Sequence, residues 1–259
     1  MSRWKADLDL AVEAVLAAGD VVMKSFRTEQ EVRFKSPDQP LTDADLASNA
    51  LLKQRLLGAR PEYGWLSEET ADTPARLSCD VVWLIDPIDG TRSYVAGHPE
   101  FSISVGLALK GEAVLGVVYN PATRELFTAM IGEGAFQDGK RLAVSRETRK
   151  PVIAASRSEI ASGDLGVFEA SHVILPTGST AYKLAKVAAG VADIFVSRGP
   201  KAEWDLCAGA LIVAEAGGKV TNLAGETLQY NRKDPNIKGV LAGTMDLHTD
   251  MLRRLQELN

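Results

Sequence analysis

The run "VVWLIDPIDGT", residues 81–91, is the part of this sequence that most restricts how the chain can fold. Its first five residues are apolar and predict a short buried strand. Asp86 and Asp89 then follow three positions apart, with Gly90 and Thr91 directly after them. Such a strand end is either an ordinary turn or a place where something charged is held. If the chain turns there from strand into helix, the first helical N–H groups are left unpaired and attract an anion.

The elements on either side of this run predict layers of helices and sheets. Residues 4–26 carry apolar side chains at helical spacing, and a second helix is predicted from its cap, Thr42, to just before Pro61. Residues 101–136 predict successive antiparallel strands. After residue 150, strands and helices alternate. We therefore expect an α+β first half and an α/β second half in stacked layers.

Charge and hydropathy limit the class of protein. A formal net charge of −5 argues against a nucleic-acid-binding protein, whose surface is normally basic. No apolar run approaches the roughly 20 residues that a helix needs to span a bilayer. Cys79 and Cys207 lack CxxC spacing and are predicted to be small buried side chains, which fits a reducing compartment. We expect a cytoplasmic protein whose partner is neither a membrane nor a nucleic acid.

Four acidic clusters lie beside the ends of predicted elements: Asp43 with Asp45, Glu68 with Glu69, Asp86 with Asp89, and Asp205. Each cluster alone has an ordinary explanation as a helix-start charge, a solvated loop or a turn. Together they fit Mg²⁺, which prefers a few carboxylates plus water and substrate phosphate. The three histidines are scattered along the chain, which argues against a His-rich zinc site.

The order of residues after the predicted strand favours one kind of chemistry. Asp86 and Asp89 would hold metal directly before Gly90, which lets a phosphate approach the backbone, and Thr91, which adds a hydroxyl. Metal ions held there would neutralise a phosphate ester and activate water against it. The sequence therefore predicts metal-assisted hydrolysis of a phosphate ester.

Several segments resemble the inositol monophosphatase superfamily of Mg²⁺-dependent, lithium-sensitive phosphomonoesterases. They are "KSPDQPLTDAD", "LSEE", "DPIDGT" and "EWDLCAGALIVAEAGG", and they extend over nearly the whole chain. "DPIDGT" followed later by "WDxxAG" is a specific pair. The resemblance implies a layered αβαβα sandwich of the inositol monophosphatase and fructose-1,6-bisphosphatase type, and it also implies a homodimer.

The resemblance further implies two metal sites that share one aspartate. Glu68, Asp86 and the Ile88 carbonyl would hold the first Mg²⁺, and Glu68 would also count as catalytic. Asp86, Asp89 and Asp205 would hold the second. We expect two to three ions, with inhibition by lithium.

Four other residues receive roles from the same resemblance. The amides of Gly90 and Thr91, beside Asp89, would bind phosphate. Thr91, assisted by Asp45, would orient the attacking water. Glu69 would support the metal ligands and mark a third, weaker ion. No serine or cysteine nucleophile is implied.

Three segments favour the branch that hydrolyses 3'(2'),5'-bisphosphate nucleotides (PAP to AMP and phosphate), the CysQ-like enzymes. They are "KSPDQPLTDAD", "ASRSE", and "GSTAYK" followed by "SRGPKAEWD". Ser197 stands where inositol monophosphatases usually carry a glutamate. Hydrolysis of inositol 1-phosphate or of fructose 1,6-bisphosphate is the alternative, and a binder of metal or phosphate without catalysis is the non-enzyme alternative.

The candidate residues for substrate specificity lie in the second half. Lys183, Arg198 and Lys201 would meet a second phosphate through charge-assisted contacts, with Gly178 and Ser179 in the loop before them. Lys183 is equally well explained as a solvated helix residue.

The element pattern and these assignments divide the chain into two lobes. An N-terminal α+β lobe, residues 1–148, would carry most metal ligands. A C-terminal α/β lobe, residues 149–259, would carry Asp205 and the loops that select the substrate.

Overall fold

A seven-stranded sheet forms the framework of the first half. A computed structural model describes the protein over residues 3–29, 31–37, 39–145, 150–163 and 165–257. The strands lie in chain order across this sheet: β3 (Gly64–Ser67), β4 (Val81–Asp89), β5 (Ser102–Leu109), β6 (Glu112–Asn120), β7 (Glu125–Met130), β8 (Gly134–Gln137) and β9 (Lys140–Arg141). Strands β3 and β4 are parallel, and each later pair is antiparallel. The predicted antiparallel strands over residues 101–136 are therefore confirmed.

The second half contains a mixed five-stranded sheet. Its strands are β10 (Val152–Ala155), β11 (Val173–Pro176), β12 (Ile194–Ala202), β13 (Lys219–Thr221) and β14 (Asn236–Gly243). They lie in the order β11-β10-β12-β14-β13, with the first three parallel and β14 antiparallel to both of its neighbours. The alternation expected after residue 150 accounts for the parallel part. The sequence interpretation included neither β13, at the edge of the sheet, nor β14 beside it.

Seven α-helices lie within the described residues. They are α1 (Lys5–Met23), α2 (Asp43–Ala59), α3 (Thr91–Val95), α4 (Arg157–Ala161), α5 (Thr180–Ala188), α6 (Glu203–Glu215) and α7 (Met245–Glu257). Short 3-10 turns occupy Pro74–Ser78 and Gly166–Phe168, and a hairpin of β1 (Val32–Ser36) and β2 (Gln39–Thr42) precedes α2. Thr42 and Asp45 form the capping box that the sequence predicts for α2.

Alternate residues of β4 show how the layers stack. Trp83 and Ile85 point into a core shared with α1 and α2, whereas Val82 and Leu84 point into a core shared with α5 and α6. This alternation follows from the period of two along a strand. On the far side of the second sheet, a third core packs against α7. The order is helix, sheet, helix, sheet, helix, which confirms the predicted αβαβα sandwich.

Two glycines bring α6 unusually close to the first sheet. A Cβ atom on Gly116 would lie 2.5 Å from the Ala208 carbonyl oxygen, and one on Gly106 would lie 2.7 Å from the Cys207 sulfur. Both positions therefore exclude larger side chains. The helix that begins just before Asp205 is thereby fixed against the strands beside β4.

Three predictions from the sequence concern the cysteines, the lobe boundary and membrane-spanning helices. Cys207 is buried as predicted, but Cys79 is half-exposed at the end of a 3-10 turn, so the expectation of two buried thiols was wrong for Cys79. The proposed lobe boundary after residue 148 lies outside the described residues. Among the residues that the structure describes, no helix combines the length and hydropathy needed to cross a membrane.

Candidate active site

The end of β4 brings two aspartates to the same side of the strand. Residues three apart on a regular strand point to opposite faces. Here the register with β5 shifts between Asp86 and Asp89, which pair with Ser104 and Ser102 respectively. The extra residue in this bulge cancels the alternation. Both carboxylates consequently face the start of α6.

Asp205 completes the cluster from the other half of the chain. Ligand oxygens of Asp86, Asp89 and Asp205 all lie within 4.8 Å of one another. Burial raises the pKa of Asp86 and of Asp205 well above the ordinary range, and the neighbouring carboxylates raise both further. Three like charges this close repel one another unless a cation lies between them. This donor set of carboxylate oxygens fits Mg²⁺, so the three predicted ligands of the second metal lie together.

The residues predicted for the first metal lie beside this cluster. Glu68 follows β3, and its backbone N–H donates to the Ile85 carbonyl at 3.2 Å. Burial raises the pKa of Asp86 most, and the Glu68 carboxylate raises it further because like charges repel. The Ile88 carbonyl oxygen accepts a hydrogen bond from the Thr91 hydroxyl at 2.9 Å.

The structure also shows a protein cation that sequence reasoning missed. Lys35 reaches from the β1–β2 hairpin, and its Nζ lies 2.5 Å from Glu68 Oε1 and 2.7 Å from Glu69 Oε1. Burial alone would lower the pKa of Lys35, but the two carboxylates outweigh it and raise the pKa. The lysine therefore occupies the region where a third, weaker metal is expected.

Thr91 and Asp45 lie in contact, as the sequence analysis expected. The Thr91 Oγ1 atom lies 3.1 Å from Asp45 Oδ1. The other oxygen, Asp45 Oδ2, accepts bonds from the Thr42 backbone N–H at 2.8 Å and the Thr42 hydroxyl at 2.6 Å. Burial raises the pKa of Asp45, and the bonds from Thr42 offset only part of that rise. A buried carboxyl that takes up a proton readily thus lies behind the threonine hydroxyl.

Gly90 and Ser179 pack against each other where β4 becomes α3. Gly90 has φ of 93°, a left-handed conformation that favours glycine, and its Cβ would lie 3.0 Å from the Ser179 nitrogen. The Ser179 hydroxyl donates to Asp89 Oδ2 at 2.6 Å, and the Ala181 N–H donates to the same oxygen at 2.6 Å. Ser179, predicted to affect specificity, therefore also fixes a metal-ligand candidate.

A cavity of about 400 Å³ opens above this cluster. Most residues predicted for the site contribute to its wall: Glu68, Asp86, Ile88, Asp89, Gly90, Thr91, Gly178, Ser179, Lys183, Lys201 and Asp205. Ser197 and Arg198 lie outside the wall that the described residues form. Ser197, which was expected to disfavour inositol, therefore does not line the cavity.

Lys183 is one of the largest buried side chains, with 2% of its surface exposed. The alternative of a solvated helix residue was therefore wrong. Its Nζ lies 3.0 Å from Glu159 Oε2, in an ion pair beside the cavity that Lys183 lines. Nothing in the local sequence around Glu159 indicates that its partner is 24 residues away.

Sequence comparisons agree with this arrangement of carboxylates. The family model described as "Inositol monophosphatase family" matches residues 4–259. The inositol-1-monophosphatase of Rhizobium meliloti (strain 1021) is 37% identical over 230 residues, which cover 84% of this chain and 86% of that protein. The chain belongs to the inositol monophosphatase family. Its members are metal-dependent hydrolases of phosphate monoesters, and this chain is a phosphatase of that kind.

Two solved structures of the inositol monophosphatase family extend the comparison. The IMPase of Thermotoga maritima superposes with a TM-score of 0.87 at 29% identity, over 97% of each chain. CysQ from Bacteroides thetaiotaomicron, described as a bacterial family member, gives a TM-score of 0.79 at 26% identity, over 93% of this chain and 98% of that one. The fold is thus shared with proteins named for both branches considered above.

The cavity wall contains four further residues to which the sequence analysis assigned no individual role. His98, Ser156, Arg157 and Ser158 all line it. Arg157 Nη2 also lies 3.1 Å from the Glu100 carboxylate. Three of them belong to "ASRSE", which the sequence analysis used only to favour the PAP-hydrolysing branch.

Proposed function

We propose that this family member is a Mg²⁺-dependent phosphatase of small polyol monophosphates, with inositol 1-phosphate as the reference substrate. The observation that supports the proposal is the difference in net charge between the aspartate cluster and the Lys183–Glu159 pair, both of which lie beside one cavity. Asp86, Asp89 and Asp205 form an acidic end that suits metal and phosphate. Lys183 also lines the cavity, and its charge is paired with that of Glu159 at 3.0 Å.

Two sets of ligands would hold the metal. Glu68, Asp86 and the Ile88 carbonyl oxygen form one set, and Asp86, Asp89 and Asp205 form the other. Mg²⁺ bound there would neutralise the phosphate and activate water. The convergence of carboxylate oxygens within 4.8 Å supports the second set.

Thr91 and Asp45 would orient the attacking water and remove its proton. The Thr91 hydroxyl can donate its one proton either to the Ile88 carbonyl, at 2.9 Å, or to Asp45 Oδ1, at 3.1 Å. When it donates to Asp45, its lone pairs are available to a water in the cavity. As the water attacks phosphorus, its proton passes to Thr91 Oγ1 while the threonine proton moves to Asp45. The raised pKa of Asp45 suits it to accept that proton. Gly90, with its left-handed backbone, lets the phosphate approach the N–H groups at the start of α3.

The polyol assignment rests on the ion pair between Lys183 and Glu159. A hydroxyl group can accept a hydrogen bond from the ammonium of Lys183 without adding a charge beside the neutral pair. A second phosphate only accepts at neutral pH and would be repelled by Glu159. The relative named inositol-1-monophosphatase supports the same substrate class.

Hydrolysis of PAP is the second candidate. Lys201 lines the cavity and would offer a charge to a second phosphate. The structural likeness to CysQ points in the same direction.

Phosphate release separates these candidates. The wild-type protein would be assayed with inositol 1-phosphate, PAP and fructose 1,6-bisphosphate at matched concentrations, with Mg²⁺ or with chelator, and with or without lithium. We expect Mg²⁺-dependent, lithium-sensitive release that is fastest from inositol 1-phosphate. Faster release from PAP would contradict the polyol assignment, and equal release with chelator would contradict the role of metal.

Two coarser attributes belong to the same proposal. A homodimer is expected from the family resemblance, and light scattering of the purified protein would test it. A cytoplasmic location is supported by the free thiols of Cys79 and Cys207.

A further inference from the structure

We propose that Glu159 determines the substrate specificity of the cavity, because it cancels the charge of Lys183 and so makes that wall a site for hydroxyl groups instead of a second phosphate. This inference rests on the proposed phosphatase function. It assigns a role to a residue that the metal and phosphate chemistry does not use.

The position of Lys183 makes its charge important. The side chain is 2% exposed, and its Nζ lies 4.9 Å from the centre of the Phe195 ring. At that depth an ammonium interacts strongly with any anion in the cavity, because little water screens it. Its one carboxylate contact within hydrogen-bonding distance among the described residues is Glu159 Oε2, at 3.0 Å.

Glu159 is held in place by the start of α4. It is the third residue of that helix, and its Oε2 accepts from the Ser156 N–H at 2.7 Å and the Ser156 hydroxyl at 2.6 Å. This is a capping box. Burial alone would raise the pKa of Glu159, but Lys183 and the bonds from Ser156 outweigh it and lower the pKa to about 2. The carboxylate therefore keeps both its charge and its direction.

The charge of the pair does not depend on where a proton resides. An ammonium beside a carboxylate and an amine beside a carboxylic acid have the same net charge of zero. Arg157 is also matched, because its Nη2 lies 3.1 Å from the Glu100 carboxylate. Lys201 also lines the cavity, and its charge lowers the pKa of both Glu159 and Asp205. The wall around Lys183 is therefore suited to a neutral, hydroxyl-rich group.

Three variants form a cycle that isolates this effect. Glu159→Gln keeps the shape of the side chain and removes the carboxylate charge beside Lys183, Lys183→Met removes the ammonium, and the double variant removes both. The measured quantity is the ratio of kcat/KM for PAP to kcat/KM for inositol 1-phosphate. We expect Glu159→Gln to raise this ratio by about 10-fold or more, the size of one charge-assisted contact. The double variant should return close to the wild-type ratio.

Two controls separate this role from a loss of folding. Glu169→Gln removes the same charge from an exposed position in the same half of the chain and should leave the ratio unchanged. The inhibition constant of PAP against turnover of inositol 1-phosphate gives a second measurement, which does not require PAP to be hydrolysed. We expect PAP to inhibit Glu159→Gln at least about 10-fold more strongly than wild type.

The outcomes distinguish this inference from the proposed function. An unchanged ratio and an unchanged inhibition constant in active Glu159→Gln would overturn the role of Glu159 and leave the phosphatase assignment intact. No Mg²⁺-dependent release from any substrate by the wild-type protein would overturn the proposed function itself. A wild-type preference for PAP would overturn the inference, because the paired wall would then not exclude a second phosphate.

Discussion

The cavity has two charged clusters that differ in how their charges are balanced. The three aspartates form the acidic end, and the Lys183–Glu159 pair forms the paired end. At one end, Asp86, Asp89 and Asp205 lie within 4.8 Å of one another. At the other end, Glu159 lies 3.0 Å from the ammonium of Lys183. Burial raises the pKa of Asp86 and Asp205, whereas the lysine lowers that of Glu159 despite burial. The acidic end therefore needs an added cation to balance its charge, whereas the two charges of the paired end already balance each other.

The largest expected effect comes from removing one charge at the acidic end. Asp205→Asn should lower kcat/KM by about 1000-fold or more, equivalent to ~4 kcal/mol, because it removes a candidate metal ligand. The same change should raise the melting temperature measured in chelator, since it relieves repulsion. Asp246→Asn, at an exposed position, is the matched control and should change neither quantity. Retention of a tenth of the wild-type rate would remove Asp205 from the metal site.

The next largest effect is a loss of stability on substitution of Gly178, in the loop before α5. A Cβ atom there would lie 2.1 Å from the Ser93 hydroxyl and 2.3 Å from the Glu100 carbonyl. Gly178→Ala should lower the free energy of unfolding by about 2–3 kcal/mol and disturb the loop that holds Asp89. Gly199→Ala is the control, because a Cβ there meets no atom within 4 Å. Equal unfolding curves in urea for both variants would contradict the packing argument.

The paired end predicts how stability changes with pH. The pKa of Glu159 falls from 4.5 to about 2 on folding, so its stabilisation is present above pH 4.5 and is lost as the pH falls towards 2. Between pH 5 and pH 3 the wild-type protein should lose about 2 kcal/mol more than Glu159→Gln in urea unfolding. Parallel losses in the two proteins would contradict the strength of this pair.

The acidic end predicts the opposite sign. Asp86 and Asp205 have pKa values raised by folding, so the folded chain binds more protons than the unfolded chain above the ordinary carboxyl range of about 4. In chelator, the free energy of unfolding should therefore fall as the pH rises from this range. Asp205→Asn should show a smaller fall, and an equal fall would count against a shared repulsion.

The smallest expected effect concerns Lys35, which forms ion pairs with Glu68 and Glu69 beside the acidic end. A metal that binds these carboxylates must displace the lysine. Lys35→Met should therefore tighten Mg²⁺ binding by about fivefold, ~1 kcal/mol, as measured by calorimetry. The exposed Lys24→Met is the control. Weaker binding in Lys35→Met would show that the lysine assists the metal instead of competing with it.

The sequence predicted the features that depend on residues close together in the chain. The capping box of Thr42 and Asp45, and the change from strand to helix at Gly90, follow from neighbouring residues. Asp205 could be assigned only through the family resemblance, because the fold brings it to Asp86 from more than a hundred residues away.

Other features depend on contacts that no local pattern records. The ion pair between Lys183 and Glu159, and that between Lys35 and Glu68, join separate elements of the fold. The exposure of a lysine on a short helix cannot be deduced from its spacing alone. For this reason the sequence left Lys183 as either a solvated or a substrate-facing residue, and the packing of the two sheets decides between them.

Thermal unfolding during a Mg²⁺ titration tests the difference between the two ends most directly. Wild type, Asp205→Asn and Glu159→Gln would each be unfolded in chelator and in rising Mg²⁺. A ligand that binds only the folded state raises the melting temperature by linkage. The account predicts a saturable rise for wild type and Glu159→Gln, and little or none for Asp205→Asn. An equal rise in all three proteins, or no rise in wild type, would contradict the assignment of the acidic end as the metal site.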